Sequence, residues 1–226
     1  MARSVKLVAD PYPPYQYREG SRIVGVDHDL IRSAFGVHDL KIEVSLYPWD
    51  ICLELMESGR ADGLFQIQPT PEREEQFAFS TPLRTARTVF IQNAGNIVAL
   101  SRYETLSQIL ENHTLGLVTD YSYSPEIDEA DHSNKVEVSS QEALLRGVSG
   151  NDFDLALMDL GVAEYVASKL KITNVEPSPG FEIERHLHVA FRKDREDMVR
   201  LFDAGLGEVE RQGLRKAINR RYHLNQ

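Results

Sequence analysis

Cysteine is almost absent from this sequence: Cys52 is the only one in 226 residues. A single cysteine forms no internal disulfide, so cysteine usage leaves the redox compartment open. Lying inside an apolar helical pattern, Cys52 reads as a core residue. Long apolar runs are missing too, and no stretch approaches the roughly 18 residues of a membrane-spanning helix. No leader is expected at the start, because Val5-Lys6-Leu7-Val8 already begins a strand. Positive charge is scarce, with 25 Lys and Arg against 35 Asp and Glu and a formal net charge of −10. That balance argues against nucleic acid and anionic membrane surfaces as partners, and it suits neutral or cationic solutes. A P-loop, a Gly-x-Ser-x-Gly elbow and a Cys/His pair in a catalytic context are all lacking. His186 and His188 share one face of a predicted strand, but no third ligand is spaced to complete a metal site. No metal or cofactor is expected. Low-complexity segments and Pro/Ser linkers are also missing, so strands or short connections must cross any domain boundary.

What is there alternates strand with helix. Strands are expected at 5–9, 41–47, 63–65, 87–92, 114–118, 136–138, 155–158 and 186–191. Helices are expected at 29–35, 48–58, 71–77, 105–111, 141–148, 160–170, 196–212 and 214–222. This order predicts an α/β fold with a mainly parallel sheet. The length supports one large domain or two small lobes. An internal echo favours two lobes. Leu53–Leu64 and Leu144–Leu155 both run helix, Ser-Gly, polar residues, Asp, then apolar strand. A helix–Gly–strand connection is also common, so one such match can arise by chance.

The stretch from Glu57 to Pro82 is the most informative. Ser58-Gly59 ends a helix, since glycine accepts the left-handed conformation without steric cost. Gly63-Leu64-Phe65 has the form of a buried strand. Thr70-Pro71-Glu72 supplies an N-cap, a proline at the first helical position and an acid in the first turn. Arg73 is thereby placed at the carboxyl end of a strand, the edge where open α/β sheets bind ligands. Its guanidinium offers a planar fork of donors to a carboxylate. A capped surface helix whose Arg73 pairs with Glu74 or Glu75 fits these residues slightly better when they are taken alone.

This pattern, continued through Phe79-Ser80-x-Pro82, resembles the bacterial extracellular solute-binding proteins of family 3, the polar amino-acid binders that serve ABC importers. The opening ADPYPPYQYREGSRIVGVDHDLIRSAF, with Val-Gly-x-Asp-x-Asp-Leu leading into a helix, and the closing HLHVAFRKDREDMVRLFDAGLGEVERQGLRKAINRRYHL carry the resemblance to nearly the whole chain. It implies a two-lobed periplasmic-binding-protein-like fold of type II. Lobe one is expected at 1–88 plus 187–226 and lobe two at 89–186, with a hinge at the crossings and closure over a ligand in the cleft. It further implies an exported, monomeric binding protein without enzymatic activity that passes a small polar solute to a membrane permease. The same lobe pair also occurs as the input domain of membrane receptors, and a few relatives resemble periplasmic cyclohexadienyl dehydratases.

Amino-acid recognition needs donors for a carboxylate, an anion for an ammonium and walls for the side chain. The resemblance assigns Arg73 and Thr70 to the carboxylate and Asp159 to the ammonium. By itself Asp159 also reads as the N-cap of the helix from Leu160. Tyr12, Tyr15 and Trp49 are candidate aromatic walls, although a tyrosine in a Pro-rich loop is otherwise a packing residue. The chain departs from the family twice. Asp120-Tyr121-Ser122 stands where Gly-Thr-Thr or Gly-Ser-Ser is usual, which puts a carboxylate near the solute's own. Gln66 and Gln68 stand where small residues are usual, which predicts a smaller or differently shaped pocket; strand alternation would instead point Gln66 or Phe65 in turn outward.

Overall fold

The computed structural model describes residues 4–119, 121, 123–130 and 133–224. In chain order the elements are β1 (Ser4–Ala9), β2 (Tyr17–Glu19), β3 (Arg22–Val24), α1 (Val26–Gly36), β4 (Lys41–Leu46), α2 (Trp49–Glu57), β5 (Gly63–Ile67), α3 (Pro71–Gln76), β6 (Phe77–Phe79) and β7 (Arg84–Asn93). They continue with α4 (Leu106–Asn112), β8 (Leu115–Val118), α5 (Pro125–Asp128), β9 (Lys135–Val138), α6 (Gln141–Gly150), β10 (Leu155–Asp159), α7 (Leu160–Leu170), β11 (Val175–Arg192), α8 (Glu196–Arg211) and α9 (Leu214–Arg221). The chain divides into two compact units, Met1–Ala86 with Arg185–Gln226, and Arg87–Glu184. It passes from one unit to the other within β7 and again within β11.

In the first unit, β1 lies between β4 and β5, parallel to both. The final part of β11 runs antiparallel between β5 and β6. One face of this sheet buries Val8, Leu64, Ile67 and Ala190 with Cys52 and Met56 of α2. Elsewhere in the unit Phe35 meets Phe191 edge-on at 6.2 Å and Phe202 of α8 at 5.7 Å. Helices α1 and α8 touch backbone to side-chain position at Gly205, where a Cβ would lie 2.1 Å from the Ala34 carbonyl oxygen. Three-residue strands β2 and β3 form a separate hairpin.

In the second unit, β10 pairs antiparallel with β7 and parallel with β8, and β8 pairs parallel with β9. Its core gathers Phe90, Leu106, Ile109, Leu110, Leu115, Leu117, Leu155 and Leu157. Both copies of the sequence echo form a helix–turn–strand unit, α2–β5 and α6–β10. They end differently. Gly59 takes the left-handed position after α2, but after α6 it falls to Asn151 rather than to Gly150. Asparagine tolerates that conformation through its short polar side chain.

Several boundaries differ from expectation. Strand β5 continues two residues beyond Phe65, and α3 stops at Gln76 because Phe77 is already extended and pairs with Arg192. Strand β11 starts at Val175, well before 186, passing through Pro177 and Pro179. Prolines are normally confined to strand edges and bulges, which is why this stretch did not read as strand.

Candidate functional site

Three neighbouring parallel strands of the first unit end at one edge, and each is followed by predicted site residues. After β1 come Tyr12 and Tyr15, after β4 comes Trp49, and β5 carries Gln66 near its end and is followed by Gln68, Thr70 and Arg73. The carbonyl of Ala9 accepts from the Tyr47 N–H at 3.0 Å, tying the first two exits together.

The loop after β1 is closed on itself: Tyr12 N–H donates to the Gln16 carbonyl at 2.7 Å and Tyr15 N–H to the Tyr12 carbonyl at 2.8 Å. Pro13–Pro14 is a cis peptide. The carbonyls of Pro14 and Tyr15 accept from the N–H groups of Val26, Asp27 and His28, satisfying donors that the start of α1 leaves unpaired. Gly25 makes this docking possible. It has φ 132, and a Cβ there would lie 2.2 Å from the Tyr15 carbonyl oxygen. The two tyrosine rings stack nearly parallel, with centroids 5.9 Å apart and 19° between planes. Only Tyr12 is half-buried. Tyr15 is 1 % exposed, and its ring lies against the Arg84 guanidinium, 3.4 Å from carbon to centroid. Tyr15 is thus a core ring that backs Tyr12 rather than an open wall. Arg84 in turn donates through Nε to Asp27 at 2.9 Å, both buried.

The glutamines occupy different settings. Register against β11 jumps between His188–Ile67 and Val189–Phe65, so Gln66 is an extra residue in β5, a β-bulge. Its φ is 65, in the left-handed region. Strict alternation, which would point Gln66 or Phe65 in turn outward, therefore fails here. The bulge lets Leu64 and Ile67, three apart, join one core cluster. It also brings the Gln66 amide to that of Gln16, which donates from Nε2 to both Gln66 Oε1 and the Asp10 carbonyl. Gln16 Oε1 is buried and takes no hydrogen bond among the described residues. Asp10 itself, immediately after β1, is the residue that the sequence reading missed. Burial raises its carboxyl pKa, opposed only by its own backbone N–H, and among the described residues it meets no cation. An acid directly at the carboxyl end of a strand was the available signal. Burial, helped by the negative charge of Asp10, also pushes the nearby Cys52 thiol up to about 11.

Thr70 caps α3 as read, its Oγ1 accepting from the Arg73 N–H at 3.3 Å, with Pro71 next. Arg73 is half-buried. It donates from Nη1 to the Gln68 carbonyl at 3.0 Å, and its guanidinium sits 5.6 Å from the Trp49 ring centroid. It forms no ion pair with Glu74, Glu75 or any other acid among the described residues. Carbonyl and ring thus hold the side chain while its charge stays unneutralised.

The acids of the sequence motifs also make contacts within their own units. Asp62 accepts from the Lys6 N–H at 2.9 Å and pairs with Arg195. Asp29 binds Tyr222 and Arg221, each at 3.0 Å, fastening α9 to α1. In the second unit Asp159 is 4 % exposed and accepts from the Val162 N–H at 3.1 Å, capping α7. Asp120 and Ser122 lie outside the described residues.

The edge of the first unit therefore presents aromatic rings, a half-buried arginine without an acid partner among the described residues, and a half-buried acid, the elements of a site for a small zwitterionic or cationic solute. The chain belongs to the bacterial extracellular solute-binding proteins, family 3, whose profile matches residues 5–225. It is similar to the arginine-binding extracellular protein ArtP of Bacillus subtilis (strain 168), 26% identical over 211 residues that cover 89% of this chain and 78% of that protein. Its fold matches the amino-acid ABC transporter substrate-binding protein AbpA of Streptococcus pneumoniae, crystallised with L-arginine, at a TM-score of 0.72 and 20% identity over 97% of this chain and 94% of that one. It equally matches a histidine kinase sensor domain with similarity to periplasmic binding proteins, at a TM-score of 0.73 and 20% identity over 98% and 96% of the two chains. No helix among the described residues is long and apolar enough to cross a membrane.

Proposed function

We propose that this extracellular solute-binding protein captures a free amino acid with a cationic side chain and delivers it to an ABC permease. One observation carries the reading: on a single strand edge, Arg73 meets no acid and Asp10 no cation among the described residues. A partly desolvated charge without a partner is costly, so each is best explained by a solute group of opposite sign. Arg73 and Thr70 take the carboxylate, Tyr12 and Trp49 supply apolar faces, and Asp10 takes the side-chain cation. The arginine-binding relative and the arginine-bound neighbour support the same class. Binding of this kind needs no covalent step, so the solute should be recovered unchanged, and prephenate and arogenate should not turn over.

A thermal-shift screen tests the reading. Ligand at 100 times Kd stabilises the native state by about 2.7 kcal/mol, a readily measured shift. L-Arginine and L-lysine are expected to shift the melting temperature, L-glutamate to have no effect, and agmatine, which lacks the carboxylate, to shift it less. The reading fails if no amino acid shifts the transition. The likeness to a kinase sensor domain favours a second reading, a receptor input domain that binds the same solute. Gene context separates the two: a neighbouring permease and ATPase for transport, or a membrane span and kinase in the same reading frame for signalling.

A further inference from the structure

We propose that Gln66 is a fixed donor to the carboxylate of the solute, and that Gln16 is the positioning residue that turns its amide that way. This inference rests on the solute-binding reading above. The Asp10 carbonyl can only accept, so the Gln16 side chain must face it with Nε2, at 3.0 Å. The second hydrogen of that Nε2 goes to Gln66, which must answer with Oε1. The opposite orientations would set Gln16 Oε1 against the Asp10 carbonyl, oxygen against oxygen. The observed ones leave Gln16 Oε1 buried without a hydrogen bond among the described residues, so the arrangement is held against a penalty. Carbonyl, first amide and second amide thus form a relay with one allowed sense.

With Oε1 engaged by Gln16, the Gln66 NH2 group is turned away from it. That group makes no hydrogen bond to a described residue, and Gln66 is the one residue of β5 that is not buried. The bulge exposes it, since φ 65 takes Gln66 out of the strand alternation. A donor pair therefore stands open near the end of β5, on the strand that leads to Thr70 and Arg73. The chemistry of a cationic amino acid selects its target. Neither a guanidinium nor an ammonium has an acceptor, so the carboxylate is the one acceptor such a solute carries. A carboxylate offers about four lone-pair positions, more than the Arg73 fork fills. A side chain that merely filled space here would need neither a donor nor a fixed orientation.

The test compares the wild type, Gln66→Met, Gln16→Met and the double variant. L-Arginine and L-lysine are titrated by calorimetry, with melting temperatures alongside. Gln66→Met keeps an unbranched side chain without a donor. It should raise Kd about tenfold or more, the order of one hydrogen bond to a charged group, and by the same factor for both solutes. Gln66→Glu still accepts from Gln16 but repels a carboxylate, so it should raise Kd further. Gln16→Met frees the Gln66 amide to turn. It should raise Kd severalfold alone and little in the Gln66→Met background, because coupled residues are not additive. An unchanged Kd in Gln66→Met, or strict additivity, overturns the proposal. Factors that differ between arginine and lysine overturn it too, since they would put Gln66 at the solute side chain. Side-chain amide NMR of the ligand-free wild type reads the relay even where Gln16→Met does not fold. Slow hydrogen exchange at Gln16 Nε2 and fast exchange at Gln66 Nε2 are expected, and equally fast exchange at both overturns the relay. A wild type that binds no amino acid defeats the solute reading and the carboxylate role with it, while the exchange rates still decide whether Gln16 orients Gln66.

Discussion

The side-chain amides of Gln16 and Gln66 are hydrogen-bonded to each other across the ends of β1 and β5, and the contact exists because Gln66 is bulged out of its strand with φ 65. A non-glycine residue there is strained by roughly 1–2 kcal/mol, which glycine does not suffer. Two substitutions separate the backbone from the side chain. Gln66→Ala loses the hydrogen bond and keeps the strain, so it should destabilise by about 1 kcal/mol. Gln66→Gly loses the bond but relieves the strain and should be close to neutral. Urea unfolding measures both, and equal stability of the two variants would show that the bulge stores no strain.

Arg73 is held by a carbonyl and an indole but has no acid among the described residues. Removing one member of a desolvated charge pair typically costs about 2–5 kcal/mol of affinity. Arg73→Ala should therefore abolish measurable arginine binding at micromolar protein while leaving the melting temperature of the free protein nearly unchanged. Arg73→Lys should recover part of the affinity, since it restores charge without the bidentate fork. Calorimetry checks this, and undiminished binding by Arg73→Ala would remove Arg73 from the site.

Asp10 allows a test in which stability and function move in opposite directions. Burial raises its folded pKa, so folding favours the protonated carboxyl. The resulting penalty is absent below the unfolded carboxylate pKa of about 3.9, grows as pH rises toward the folded value, and is complete above it. Asp10→Asn should thus melt a few degrees higher than the wild type at pH 7 without ligand, with the gap closing in acid. The same variant should lose arginine affinity while any binding of neutral amino acids persists. A lower melting temperature at pH 7 would mean that Asp10 has a stabilising partner.

How far the sequence reveals these features depends on how local their causes are. Thr70, Pro71 and Arg73 are legible because a cap, a first-turn proline and the N–H three residues on lie within one turn. Trp49 at the start of α2 follows from the same kind of reading. Gln66 is not legible, because nothing in Phe65-Gln66-Ile67 marks a left-handed glutamine, and its register is set by β11 far along the chain. The role of Tyr15 depends on Arg84, and the burial of Asp10 on the neighbours that the fold gathers around it. The resemblance named the family motifs correctly but did not reveal that Asp27, Asp29 and Asp62 hold the first unit together.

Asp29 provides the acid-stability test of that last point. Burial pushes its pKa up, but hydrogen bonds with His28 and Tyr222 and the nearby Arg32 outweigh that effect and leave it lowered. Tyr222 answers in the opposite direction: burial, with the Asp29 charge beside it, raises its hydroxyl to about 12, which keeps the donor protonated. A depressed carboxyl pKa contributes stability above the unfolded value, and that stability is lost as pH falls through the folded one. Asp29→Asn should therefore destabilise by about 1.5–3 kcal/mol at pH 7, the range for a hydrogen bond to a charged group. The difference from wild type should shrink steadily as pH drops below about 4, once the wild-type carboxylate protonates. Denaturant unfolding across that range checks the prediction. A difference that does not change with pH would mean that Asp29 acts through shape, and that its charge is not what binds α9 to α1.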